Sequence, residues 1–202
     1  MQMSRRTVRR LLSSYMETPV ARVLAAIGLT PNVVTLAGLG VAGVSAYLIG
    51  AGFLWAGGVV LLVSGLFDMF DGALARITDR ASDFGALLDS VVDRISEAVV
   101  LLGLLVFYLQ RSSTEGAVLV YLALAGSVLV SYVRARAEGL GIDCKKGVMT
   151  RPERVVILGL GLVISHWWLP TLLFVLGIVA ALTFVTSAQR LIDSRGTLAN
   201  RE

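Results

Sequence analysis

Long apolar runs alternate with short polar breaks along this chain, and the runs have the length of membrane helices. A helix rises about 1.5 Å per residue, so roughly 20 apolar residues cross the hydrocarbon core of a bilayer. The pattern predicts six such spans, near residues 33–50, 53–77, 83–109, 116–138, 152–164 and 171–189. The breaks carry turn chemistry. Gly28 to Asn32 (GLTPN) supplies Thr30 as a cap and Pro31 for a first helical turn. The longest polar loop covers 139–150. Residues 3–27 read differently. Leu11, Leu12, Met16, Val20, Val23 and Leu24 share a stripe opposite Arg5, Arg6, Arg9 and Arg10, the pattern of a basic helix lying in the interface. Pro19 is expected to end or kink a first piece of it. The expected architecture is therefore all-α: an integral membrane bundle of six transmembrane helices with an N-terminal amphipathic interfacial helix. Residues 1–30 form the juxtamembrane segment, 31–190 the six-span domain and 191–202 a cytoplasmic tail.

Composition supports a membrane domain. The 202 residues are 56% hydrophobic and 16% charged, with a mean hydropathy of +0.80, outside the range of ordinary soluble domains. A net charge of +4 would suit a nucleic-acid binder, but the distribution of that charge argues for topology. Of the eighteen Lys and Arg, all but Arg111 fall in the N-terminal segment, the 76–94 and 134–154 regions and the tail. Those segments share one face of a six-span bundle, which the positive-inside rule makes cytoplasmic. Both termini then lie on the cytoplasmic side of the cell membrane, and no nucleic-acid partner is expected. Trp55, Trp167 and Trp168 fall at the opposite interface, as an aromatic belt would. Glu17 and Arg22 interrupt the apolar stretch after the basic start, so no cleaved signal peptide is expected. Cys144, the single cysteine, excludes an internal disulfide and a cysteine metal site.

Candidate chemistry concentrates between Asp68 and Asp93. Asp68 and Asp71 are spaced i, i+3, and Asp89 and Asp93 i, i+4, so each pair shares a helix face. The second and third spans form a hairpin, which lets the pairs face each other. Asp68 precedes Arg76 by eight residues, roughly 12 Å along a helix, which puts the carboxylates inside the cytoplasmic half of the bilayer. Carboxylates at that depth cost roughly 2.5–3.5 kcal/mol each on insertion scales and mark function. Hard oxygen donors without His or Cys suit Mg²⁺ or Mn²⁺ rather than zinc. Four of them exceed the needs of one ion, and two ions about 3.5–4 Å apart, clamping a phosphate, are the natural chemistry. Asp79 and Asp83, by contrast, read as solvated partners of nearby arginines.

The run D68-x-x-D71-G72-x-x-A75-R76, followed after eight residues by G85-x-x-x-D89-x-x-x-D93, resembles the signature of the CDP-alcohol phosphotransferases, with every fixed position filled. The six-span layout extends the resemblance over essentially the whole chain. It implies transfer of a phosphatidyl-type group from a CDP-linked lipid to an alcohol, with release of CMP and dependence on divalent cations. It further implies that Asp68, Asp71 and Asp89 hold one metal ion, that Asp68, Asp89 and Asp93 hold a second, and that Asp93 deprotonates the attacking hydroxyl. Gly72, Arg76 and Ser82 would contact the CDP moiety, and Pro31, Asn32, Val33 and Val34 would line the nucleotide site. A homodimer is implied by the resemblance alone.

The acceptor is read from arginines around the long loop, in SYVRARAEGLG (131–141) and TRPERVV (150–156). Arg134 is expected to be buried in the fourth span, while Arg151 and Arg154 open the fifth. Arginines facing a metal site suit a second phosphate; the plain alternative is snorkelling to lipid headgroups. Both segments resemble the phosphatidylinositol phosphate synthase branch of the family, which implies that Arg134, Arg154 and a last-span cation, placed at Arg190, bind the phosphate of inositol 1-phosphate (1D-myo-inositol 3-phosphate), with Arg151 a further candidate. Glycerol 3-phosphate, as in a phosphatidylglycerol phosphate synthase, remains an alternative acceptor. A divalent-cation transporter is the alternative from another class, since buried aspartates also line ion paths. His166 reads as an interfacial residue, Cys144 as a free loop thiol, and Glu97 either as a partner of Arg94 or as a group tuning the site.

Overall fold

The computed structural model describes residues 18–144 and 147–199. Of the amphipathic stripe expected over residues 3–27, the part up to residue 17 lies outside them. Seven helices and no strands occur among the described residues: α1 (Thr18–Ala26), α2 (Pro31–Gly50), α3 (Leu54–Ile77), α4 (Asp83–Gln110), α5 (Thr114–Gly139), α6 (Arg151–Ile164) and α7 (Pro170–Ala199). Pro19 lies within α1, and the piece it is expected to end or kink lies outside the described residues.

Helix starts and stops follow local chemistry. Gly28, at φ +78°, closes α1 in a Schellman motif: its N–H donates to Ala25 O at 3.0 Å and that of Leu29 to Leu24 O at 3.1 Å. Pro31 then opens α2 behind an extended Thr30. The Ser82 hydroxyl caps α4 by accepting from Gly85 N at 3.0 Å. At α6, Glu153 reaches back to accept from Thr150 N at 3.0 Å, the carboxylate half of a capping box.

Four helices are long and apolar enough to cross a membrane: α2, α3, α5 and α7. The charged residues of α4 (Asp83, Asp89, Asp93, Arg94 and Glu97) dilute its hydropathy, and α6 has only 14 residues. The chain is thus an all-helical, multi-pass membrane protein. Large apolar side chains such as Leu36, Val63, Phe174 and Ile178 face outward, as lipid contact requires. The polar segment after Arg190, read as a tail, stays helical to Ala199.

Packing sets the frame of the site. Helix α3 lies against α2 on one side and α6 on another; α2 also packs on α4, and α5 on α7. Without a hydrophobic force between helices in lipid, close backbone approach and buried hydrogen bonds hold such contacts. Ser45 and Ser64 donate from α2 and α3 to Gly57 O at 2.8 Å and Gly38 O at 3.0 Å. A Cβ on Gly58 would stand 2.7 Å from Gly159 O, so α3 and α6 meet backbone to backbone only because residue 58 is glycine. That contact brings the first turn of α6 beside the aspartates of α3. Leu104, Phe107, Leu162, Leu172 and Leu176, all without exposed surface, fill the core away from the carboxylates.

Candidate active site

Helices α3 and α4 present the four aspartates to one another. Asp89 interacts electrostatically with Asp68, Asp71 and Asp93. Asp71 is 5% exposed and accepts a 2.7 Å hydrogen bond from the Thr35 hydroxyl of α2. Asp68 and Asp93 share a cation: Arg151, at the first position of α6, pairs with Asp68 and stands 2.8 Å from Asp93 Oδ1. Arg94 lies 3.5 Å from the other oxygen of Asp93.

Divalent ions fit this donor set. The side chains are hard oxygens on facing helices, with neither His nor Cys among them. Among the described residues, Asp93 Oδ1 is buried and accepts no hydrogen bond despite its ion pair, the condition of an oxygen suited to a metal. No group of three ligands converges in metal-binding geometry among the described residues, and the Arg151 guanidinium stands between Asp68 and Asp93.

A cavity of about 220 Å³ opens beside the carboxylates, with Asp71 and Asp89 on its wall next to Pro31, Asn32, Gly72 and Ser82. The sequence-predicted CDP-lipid residues are thus only partly brought together. Val33 is 47% exposed and points outward, while Val34 packs in an apolar cluster with Ala21, Ala73 and Leu74. Successive helical residues turn by 100°, so a run of four cannot all face one pocket. Arg76 is exposed, and its guanidinium lies 3.5 Å from where a Cβ on Gly72 would stand. Arg80, to which sequence reasoning assigned no role in the site, also lines the cavity.

The basic residues gather at the same end of the bundle. Arg190 interacts electrostatically with both Arg134 and Arg154. Arg154 and Arg190 are each 3% exposed. Arg154 is held as a fork by Glu97, at 2.6 Å and 2.7 Å, which answers the open question of Glu97's partner: it is not Arg94. Arg190 donates to Val130 O at 2.8 Å. The expected burial of Arg134 is overturned. Its side chain is 47% exposed and bonds Glu138 at 2.8 Å, because the end of α5 at residues 134–136 runs clear of its neighbours and a long arginine snorkels outward there. At the opposite end, His166 packs edge-on against Trp55 and Trp167, as an interfacial histidine would. Cys144 is free, as read, but buried at 2% exposure.

Sequence reasoning missed Thr35 and Arg80 and left Glu97 undecided. A threonine in an apolar helix carries no local signal. The i, i+4 step from Asp93 to Glu97, matched by the i, i+3 step from Arg151 to Arg154, was the available clue to a two-rung ladder.

The family model for CDP-alcohol phosphatidyltransferases matches residues 28–189, and the chain belongs to that family. It is similar to the phosphatidylinositol phosphate synthase of Mycobacterium tuberculosis (strain ATCC 25618 / H37Rv), 39% identical over 183 residues that cover 86% of this chain and 83% of the relative. The archaetidylinositol phosphate synthase of Methanothermobacter thermautotrophicus is 37% identical over 170 residues, covering 82% of this chain and 83% of that one. Crystal structures of the M. tuberculosis synthase agree in fold. The form with CDP-DAG bound has a TM-score of 0.81 at 36% identity, covering 89% of this chain and 93% of that chain. The complex with manganese and citrate has the same score and identity, covering 89% and 88%. This chain is accordingly a CDP-alcohol phosphatidyltransferase.

Proposed function

We propose that this enzyme transfers the phosphatidyl group of CDP-diacylglycerol, or of a CDP-linked ether lipid, to inositol 1-phosphate (1D-myo-inositol 3-phosphate), releasing CMP and forming a phosphatidylinositol phosphate. The observation that carries the acceptor is the grouping of Arg134, Arg154 and Arg190, two of them buried, with Arg154 joined to Glu97 one turn from Asp93. A phosphorylated acceptor would share these cations with Glu97 and Glu138, whereas an unphosphorylated alcohol would not draw on them. The names of the relatives support the same reading.

Asp68, Asp71 and Asp89 hold one ion and Asp68, Asp89 and Asp93 another, with Mg²⁺ the expected metal and Mn²⁺ a substitute. When bound, the ions neutralise the pyrophosphate charge and draw electrons from the phosphorus under attack. Pro31, Asn32, Gly72 and Ser82 seat the nucleotide in the cavity, with Arg76 and Arg80 as fixed cations at its mouth. Thr35 fixes the rotamer of Asp71. The acceptor phosphate rests on the arginines, which aims a ring hydroxyl at the lipid phosphorus. Asp93 takes the hydroxyl proton as the new oxygen–phosphorus bond forms and the bond to CMP breaks. Six spans in the cell membrane, a site and both termini on the cytoplasmic side, and a homodimer complete the proposal. It rests there on the lysine and arginine distribution and, for the dimer, on family resemblance.

The test is CMP release by the purified protein in liposomes with Mg²⁺, CDP-diacylglycerol and a panel of acceptors. Inositol 1-phosphate should be used well above glycerol 3-phosphate, serine or free inositol. Equal or better use of glycerol 3-phosphate would overturn the acceptor assignment, and no CMP with any phosphorylated polyol would overturn the reaction.

A further inference from the structure

Arg151 is the feature that the catalytic scheme leaves without a role. Its guanidinium pairs with Asp68 and lies 2.8 Å from Asp93 Oδ1, the two carboxylates assigned together to one ion. The fit is incomplete on both sides. Among the described residues, Arg151 Nε and Asp93 Oδ1 are each buried without a hydrogen bond. A settled arginine–carboxylate fork of the kind joining Arg154 to Glu97 leaves neither atom idle. A gap of about 20 Å³, room for roughly one water, borders the Arg151 side chain next to Ser96 and Glu97. Arg151 therefore has space beside it and a poor hydrogen-bond geometry where it stands.

Electrostatics gives this placement a purpose. Four carboxylates at membrane depth repel one another and are costly without a counter-charge. One guanidinium offsets part of that repulsion, but a divalent ion and a guanidinium cannot share the same carboxylate edges. The second rung keeps the helix in place while the first opens. Arg154 lies three residues on, nearly buried, and stays clamped to Glu97. We propose that Arg151 is a displaceable counter-ion of the metal site: it holds Asp68 and Asp93 together in the empty enzyme and must swing away before the ion shared by those two residues binds. Metal affinity is then set by a competition within the chain, and the Glu97–Arg154 rung is the fixed point about which the exchange occurs. This rests on the metal assignment made above and goes beyond it.

Manganese binding separates the two ideas without turnover. Titration of the full-length protein in detergent, followed by the loss of the free Mn²⁺ electron paramagnetic resonance signal, gives the affinity directly. Arg151→Gln should bind manganese about tenfold more tightly than the parent at the weaker site, with Arg151→Lys in between. With metal chelated, Arg151→Gln should melt below the parent, and manganese should raise its melting temperature by a larger step. Arg94→Gln removes a nearby positive charge at 3.5 Å from Asp93 without opening the bridge, and should tighten binding far less. Unchanged or weaker binding in both Arg151 variants, or an equal gain in Arg94→Gln, overturns the proposal. A parent protein that binds no manganese overturns the metal assignment itself, and the proposal with it. Should Arg151→Gln not fold, the Arg151→Lys affinity decides by the same criteria.

Discussion

Asp93 and Arg154 sit one helical rung apart across α4 and α6, and their substitution should fail in different ways. Asp93→Asn keeps the shape of the side chain but cannot accept the hydroxyl proton. Turnover with every acceptor should fall by about 10²–10⁴-fold, read as CMP release at saturating substrates. Arg154→Ala removes a cation proposed to hold the acceptor phosphate, and it leaves Glu97 without its partner. Loss of one member of such a pair costs about 3–5 kcal/mol, so a lower melting temperature should accompany a raised acceptor KM. The double variant Glu97→Gln with Arg154→Gln should regain much of the stability but not the acceptor affinity. Thr35→Val removes the 2.7 Å hydrogen bond to Asp71; hydrogen bonds to charged groups contribute about 1.5–3 kcal/mol. Manganese affinity measured by titration should weaken by tenfold or more.

At the scale of elements, the approach of α3 to α6 controls whether the arginines reach the aspartates. Gly58→Val would force a side chain into Gly159 O, within 2.7 Å of the first added carbon. The helices must then separate, and the melting temperature should drop even though residue 58 lies more than two turns from Asp68. The helical period made each pair of aspartates legible in the sequence, because i, i+3 and i, i+4 spacings are local facts about one helix. Pairings between helices were not legible. Glu97 meets Arg154 across 57 residues and Asp68 meets Arg151 across 83, and no local pattern reports on such distances. The same limit explains Val33 and Val34, grouped with Pro31 and Asn32 by their motif and separated from them by the turn of the helix. The burial expected for Arg134 failed for a related reason: hydropathy along α5 says where the helix is apolar, not where its neighbours stop.

For the whole molecule, the charge distribution predicts an orientation that the helices alone leave open. Cysteines placed at the two ends should report it. Glu115→Cys, at the start of α5, should react with a membrane-impermeant maleimide on intact cells, whereas Arg195→Cys, near the end of α7, should react only after permeabilisation. The native Cys144 is buried and should stay silent. Labelling of Arg195→Cys from outside would place the active site on the wrong face for a cytoplasmic nucleotide lipid. Length and composition identified the membrane class, but of the six spans expected only four helices are long and apolar enough to cross: α4 is interrupted by its charged residues and α6 has only 14 residues. Where the pattern is weakest as a membrane helix, it is strongest as a site.

Anomalous diffraction from crystals grown with Mn²⁺ addresses the metal centre most directly. Manganese peaks are expected between α3 and α4, within coordination distance of Asp68, Asp71, Asp89 and Asp93, with the Arg151 guanidinium withdrawn from Asp93. Manganese bound elsewhere, with the aspartates still joined to arginine alone, would contradict the metal assignment.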